Sequence, residues 1–266
     1  MARFDSYLQG TPSWIEHSSP DPEASKQFYG DLFGWDYDDQ PMMDGDTQVG
    51  AYAIARIQGD PVAGLGSQFG DAQGQPASWG VYLAADDVDA AVDRARDAGA
   101  QVLAEPTDVG EDQGRIAWVQ DPVGAAVGLW QAGSFAGALR ANEHGTNVWN
   151  ELVTADVGRA TPFYDKVLGI TAEEMPMGDG GDPYTTLNVQ GRSVAGVTPP
   201  QDEGVPPHWN VCFNVDDADR IAARATELGA KQVVAPFDVP GIGRIAGLTD
   251  PQGAMFSVMQ NPPEAG

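Results

Sequence analysis

The chain has 266 residues, 42% of them hydrophobic, enough for a packed core and well outside the composition of disordered chains. Thirty-nine acidic residues against fourteen basic ones give a formal charge of −25, which repels phosphate backbones and anionic lipid and argues against nucleic-acid and membrane partners. No apolar run approaches the roughly 20 residues that span a bilayer, Met1-Ala2-Arg3-Phe4 does not read as a secretory signal, and the single cysteine, Cys212, leaves no internal disulfide, so a cytoplasmic protein is expected.

In chain order, residues 12–18 read as a strand. A helix follows from Asp21, an N-cap residue with Pro22 at the first helical position, and Ala24, Phe28 and Leu32 give it one apolar face before Gly34 ends it. Strand-like runs at 50–57 and 62–66 come next, and then the theme restarts. Trp79–Ala85 reads as a strand, Asp87 caps a helix carrying Val88, Ala91, Val92 and Ala95, Gly99 stops it, and strands follow at 101–104, 115–120 and 126–131.

The second half repeats the first. Gly10-Thr11 with Trp14, Phe28-Tyr29, Val62-Ala63-Gly64, Asp86-Asp87, Gly114-Arg115-Ile116-Ala117 and Asp121-Pro122 return as Gly145-Thr146 with Trp149, Phe163-Tyr164, Val194-Ala195-Gly196, Asp216-Asp217, Gly243-Arg244-Ile245-Ala246 and Asp250-Pro251. Order is kept and the offset stays between 129 and 135, so the chain is a tandem duplication, with helices expected again from Asp156 and Asp217. Domains at 1–131 and 145–266 are expected, joined by a small-residue connector at 132–144. The fold class is α+β: each domain holds two βαβββ units whose helices cover one face of a mixed sheet, leaving the other face free to curl into a trough that suits a ligand.

Phe28-Tyr29 with Leu32-Phe33-Gly34-Trp35, Phe163-Tyr164 with Val167-Leu168-Gly169-Ile170, and the terminal Asp121-Pro122-Val123-Gly124 and Asp250-Pro251-Gln252-Gly253 resemble the vicinal oxygen chelate superfamily. That superfamily includes glyoxalase I, extradiol dioxygenases, fosfomycin-resistance enzymes and bleomycin-binding proteins. The tandem arrangement is most similar to actinobacterial glyoxalase-like proteins labelled hydroxylases or antigens. The resemblance implies a metal site in the catalytic members, with ligands on the first, fifth and eighth strands and near the end of the first unit. Aligned on the helix motifs, these positions fall at Trp14 and Trp149, Gly80 and Asn210, Gly128 and Ser257, and near Gly64 and Gly196. Indole is a donor only, glycine has no side chain, and Asn and Ser are weak ligands alone. The three histidines, His17, His144 and His208, would serve only if the register slipped by one residue. Neither domain is therefore expected to carry the family metal, and no cofactor is implied.

Alternation places Glu16 beside Trp14 and Glu151 beside Trp149 on the trough face. A carboxyl beside an indole in a partly dry cavity would have a raised pKa and suit acid/base work; the alternative is a structural acceptor, or a partner of Arg115 or Arg244. Arg115 and Arg244 would hold a ligand carboxylate or enolate, or instead tie a loop to Asp108 and Asp238. Trp14, Tyr52, Tyr82 and Trp130 in the first domain, and Trp149 and Tyr184 in the second, are expected as aromatic walls, with Gly64, Gly80 and Gly128 as open floor between them; the alternative is that the aromatics plug the trough. His208, Asn210 and Cys212 share one face of a strand, where a Cys–His nucleophile or inert packing are both open.

Three functions remain. The chain is a metal-independent enzyme on a small carbonyl, enol or aromatic substrate using Glu16 or Glu151, in the glyoxalase or hydroxylase manner. Or it is a binding protein that sequesters a drug or metabolite, in the bleomycin-resistance manner. Or it is a non-catalytic interaction protein with filled troughs. The expected ligand is small, planar or apolar, and the chain a monomer or homodimer.

Overall fold

The computed structural model describes residues 3–44, 47–68, 73–176, 183–200 and 202–262, so the outer ends of the two expected domains lie outside the described residues. The first half runs β1 (Pro12–Ser19), α1 (Pro22–Phe33), β2 (Asp36–Asp44), β3 (Thr47–Ile57), β4 (Asp60–Ser67), β5 (Ser78–Ala84), α2 (Val88–Asp97), β6 (Gln101–Val109), β7 (Gly114–Gln120) and β8 (Ala126–Ala132). The second runs β9 (Asn147–Val153), α3 (Val157–Leu168), β10 (Thr171–Met175), β11 (Tyr184–Val189), β12 (Arg192–Thr198), β13 (His208–Asn214), α4 (Ala218–Glu227), β14 (Lys231–Val239), β15 (Gly243–Thr249) and β16 (Met255–Gln260). The fold is the expected α+β duplication of βαβββ units.

All four helices begin alike: the side chains of Asp21, Asp87, Asp156 and Asp217 accept from Ala24, Ala90, Arg159 and Arg220 N–H, satisfying a donor that the first turn leaves free. Each half forms one eight-stranded sheet, in the orders β2-β3-β4-β1-β5-β8-β7-β6 and β10-β11-β12-β9-β13-β16-β15-β14. Antiparallel pairing of β1 with β5, and of β9 with β13, joins the two units of each sheet, and the sheet curves into a half-barrel. The strand at Asp36–Asp44 carries no strand pattern in the sequence. This edge strand exposes Asp36, Asp38 and Asp39 and so lacks the apolar alternation that marks a half-buried strand; the same charges blunt a sheet edge against further pairing.

The helix-bearing faces of the two sheets share one core. Phe28, Tyr29 and Phe33 of α1 meet Phe256 of β16, and Phe33, Trp35 and Trp79 meet Phe213 of β13. The Asp-Pro-x-Gly turns fasten this arrangement in both directions. Asp121 Oδ1 accepts from the N–H groups of Val123, Gly124 and Ala125, while its Oδ2 accepts from Tyr164 Oη of the other half at 2.8 Å. Asp250 Oδ1 accepts from Gln252 and Ala254 N–H, while its Oδ2 meets Tyr29 Oη at 2.9 Å and His17 Nε2 at 2.8 Å. Gly124 and Gly253 have φ of +109° and +105°, a region that favours glycine. The Phe-Tyr and Asp-Pro-x-Gly motifs thus meet across the duplication. Their faces point away from the troughs.

Candidate functional site

The concave face of the first sheet carries Trp14 and Glu16 on β1, Tyr52 on β3, Tyr82 on β5, Trp118 on β7 and Trp130 on β8. Register sets the neighbours: Trp14 lies opposite Tyr82, Glu16 opposite Gly80 and Gly64, and Gly128 opposite both Tyr82 and Trp118. Tyr52 Oη donates to Glu16 Oε2 at 3.0 Å and Tyr82 Oη donates to Oε1 at 3.3 Å. Each phenol accepts in turn from an indole, Trp14 Nε1 on Tyr52 at 3.3 Å and Trp118 Nε1 on Tyr82 at 3.1 Å.

The glycines are not open floor here. A Cβ on Gly64 would stand 2.2 Å from Tyr52 Oη, on Gly80 2.5 Å from Trp118, and on Gly128 2.3 Å from the Tyr82 ring. The rings lie directly on the glycines because nothing else would let them approach the sheet so closely. The connector also takes part: Phe135 packs edge-on against Trp14 and Trp130, with centroids 5.0 and 6.0 Å away, and accepts from Trp130 Nε1 through its carbonyl. Trp14, Tyr82 and Trp130 are accordingly buried. Phe135, just beyond β8, thus covers part of the first trough. Trp118 and Phe135 were not named from the sequence; alternation from Ile116 along β7 carried the signal for Trp118.

The second sheet keeps part of this chain. Trp149 Nε1 donates to Tyr184 Oη at 2.9 Å, and Tyr184 Oη donates to Glu151 Oε1 at 2.6 Å. Glu151 lies opposite Gly196 and Asn210. Asn210 Nδ2 reaches Ser257 Oγ at 3.0 Å, and the buried Cys212 lies opposite Trp149. His208 shares this face but hydrogen-bonds through Nδ1 to Pro206 O at 2.9 Å, at the strand end.

Arg115 and Arg244 are not in the troughs. Both project on the helix side, where Arg115 meets Asp89 and Asp108 at 2.8 and 2.7 Å and Arg244 meets Asp219 and Asp238 at 2.5 and 3.1 Å. Arg115 alternates with the trough residues Ile116 and Trp118 along β7, and Arg244 with Ile245 and Gly247 along β15, so both side chains face the helix side and form the loop ion pairs that were the structural alternative, contacts of small energetic weight. Burial, then the charge of Glu151, pushes the Cys212 thiol up, which disfavours a thiolate and favours inert packing over a Cys–His nucleophile.

Burial raises both trough carboxyls, partly offset by the tyrosine hydrogen bonds: Tyr52 and Tyr82 on Glu16, Tyr184 on Glu151. A carboxyl raised on folding stabilises below its unfolded value, near 4.5, and that stabilisation is lost as pH rises through the folded value. Relative to the parent, Glu16→Gln should therefore gain stability progressively as pH rises above 4.5, read by thermal melts. A stability difference that does not change with pH would remove the raised carboxyl.

The residues do not fit the superfamily's divalent ion. Trp14 and Trp149 spend their only N–H on tyrosines, the paired positions are glycine, Asn and Ser, and His17 is on the opposite face, held by Asp250. Among the described residues no three His, Cys, Asp or Glu side chains come together as a metal site.

A duplicated half-barrel of βαβββ units with a polar group set on each concave face defines the glyoxalase-like class. The profile of the Glyoxalase/Bleomycin resistance protein/Dioxygenase superfamily matches residues 12–129 and 146–258, and the chain belongs to this superfamily. It is 43% identical over 265 residues to "Putative glyoxylase CFP32" of Mycobacterium tuberculosis, covering 99% of this chain and all of that protein. It is 37% identical over 275 residues to "Anthracycline biosynthesis protein DnrV" of Streptomyces peucetius, covering 98% and 95%. Among solved structures, the Mn(II)-bound glyoxalase from Novosphingobium aromaticivorans superposes with a TM-score of 0.63 at 21% identity, covering 95% of this chain and 83% of that one, a likeness of fold.

Proposed function

We propose that this chain binds a small organic metabolite on a concave sheet face and moves a proton on it with a buried glutamate, without the superfamily's metal. The observation that carries the reading is the repeated relay: indole N–H to phenol, phenol to a carboxyl of raised pKa, built as Trp14–Tyr52–Glu16 and again as Trp149–Tyr184–Glu151. Burial lifts the proton affinity of each carboxyl above that of a free one, which suits acid/base work, and the indole-held phenol fixes its orientation. The glyoxylase-named relative and the anthracycline-biosynthesis relative both fit chemistry on carbonyl, enol or phenolic carbon skeletons. Two glyoxalase-like domains, 1–131 and 145–266, provide one relay each.

The test is exchange of carbon-bound hydrogen into D2O from methylglyoxal, with and without an added thiol, followed by proton NMR on chelator-treated protein. The protein should accelerate exchange, and Glu16→Gln with Glu151→Gln should remove about 10²-fold or more of that acceleration with the fold intact by circular dichroism. Unchanged exchange in the double variant rejects the acid/base role and leaves sequestration. Exchange that stops on chelation and returns with nickel or zinc rejects the metal-free mechanism.

A further inference from the structure

The two troughs differ in a systematic way. Where the first sheet has Tyr82, opposite the first-strand tryptophan, the second has Cys212. Trp118, opposite Gly128, corresponds to Gly247, opposite Ser257. Trp130, opposite Ile116, corresponds to Met259, opposite Ile245. Asn210 and Ser257 in place of Gly80 and Gly128, and Val234 leaning over Gly247, return part of that volume, but no aromatic ring stands in for Tyr82 or Trp118.

The rims change in the opposite sense. Positions held by Gln40, Thr107 and Ala126 in the first sheet are Met175, Phe237 and Met255 in the second, paired respectively with Tyr184, Ile245 and Thr249. These three are among the most exposed large apolar side chains described, at 48, 44 and 45%. The first trough is bulky at its centre and small at its rim; the second is small and polar at its centre and apolar at its rim. Exposed apolar groups around a recess mark a binding surface, and methionines adapt to flat guests.

The hydrogen bonds say what is missing. Glu16 receives two phenols, one on each oxygen. Glu151 receives only Tyr184, on Oε1, and its Oε2 has no hydrogen-bond partner among the described residues. The absent donor is the one Tyr82 supplies in the first sheet.

We infer that the second trough is the working site and takes a hydroxylated aromatic molecule, whose phenol or enol donates to Glu151 Oε2 as Tyr82 does to Glu16, while its ring rests among Met255, Met259 and Phe237. The first trough, with Tyr82 edge-on to Trp118 at 4.8 Å between centroids, is an intramolecular copy of the occupied state. This assignment rests on the small-molecule reading above but adds the domain and the ligand class.

The experiment uses the full chain carrying 13C-methyl methionine and 2-naphthol as probe, with naphthalene as the matched control. Met255 and Met259 methyl resonances should shift and saturate at one equivalent, Met42 should stay fixed, and naphthalene should bind at least about tenfold more weakly for want of the charge-assisted hydrogen bond. A variant that copies the first trough into the second (Asn210→Gly, Cys212→Tyr, Val234→Ala, Gly247→Trp, Ser257→Gly) should lose binding. No shift of Met255 or Met259 in the unsubstituted protein overturns the assignment without needing the variant. Equal affinity for naphthalene overturns the phenol, and binding retained by a folded filled variant overturns the site. If methylglyoxal exchange is normal while 2-naphthol leaves those methyls unmoved, only this inference falls; if 2-naphthol binds and exchange is absent, only the proton-transfer reading falls.

Discussion

Asp250→Ala should cost about 3–5 kcal/mol, a drop in melting temperature of roughly 6–20 °C. The carboxylate is buried, and its loss removes the acceptor of the buried Tyr29 Oη and His17 Nε2, together with that of two turn N–H groups. Asp121→Ala should cost less, because Asp121 serves Tyr164 but has no imidazole. The pH dependence separates the two further. Burial raises Asp250, but the hydrogen bond and charge of His17 outweigh it and hold the carboxyl below its usual range. That stabilisation is present above the unfolded value of 3.8 and lost as pH falls through the folded one. Asp121 is raised by burial, so its contribution runs the other way and fades as pH rises. Thermal melts of both variants against pH check this; equal penalties with parallel pH profiles would show that the His17 contact carries no weight.

Much of this was legible in the chain. The four Asp caps and the glycines after Phe33 and Leu168 fixed the helices locally, and a fixed offset fixed the duplication. Trp-x-Glu on the first strand needed only period-two alternation to put indole and carboxyl on one face. What failed to show was non-local. Whether Gly64, Gly80 and Gly128 are floor or seats for rings depends on which residue lies opposite across the sheet, and registers are not written in a single strand. The same holds for Asp121 and Asp250: the turn is readable, while the partner tyrosine lies 43 or 221 residues away. Phe135 was hidden because a connector of small residues carries no strand or helix pattern, although the fold lays it over Trp14.

The contrast between the two troughs also predicts where stability is stored. Trp130→Ala should cost about 3–5 kcal/mol, the usual loss for a buried tryptophan, since the ring lies directly on Gly114, stands edge-on to Phe135 and satisfies its N–H on the Phe135 carbonyl. The equivalent change in the second sheet, Met259→Ala, removes a half-buried, flexible side chain that holds no hydrogen bond, and should cost about 1 kcal/mol. Recesses kept for ligands are poorly packed when empty, and substitutions there spend function before stability. Denaturant melts of the two variants with 2-naphthol titrations beside them read both quantities. Trp130→Ala should unfold at distinctly lower denaturant and, where still folded, keep its affinity; Met259→Ala should melt near the parent and bind more weakly. Equal stability losses would mean that the second trough is packed as tightly as the first, and the division of labour between the duplicated halves would fail with it.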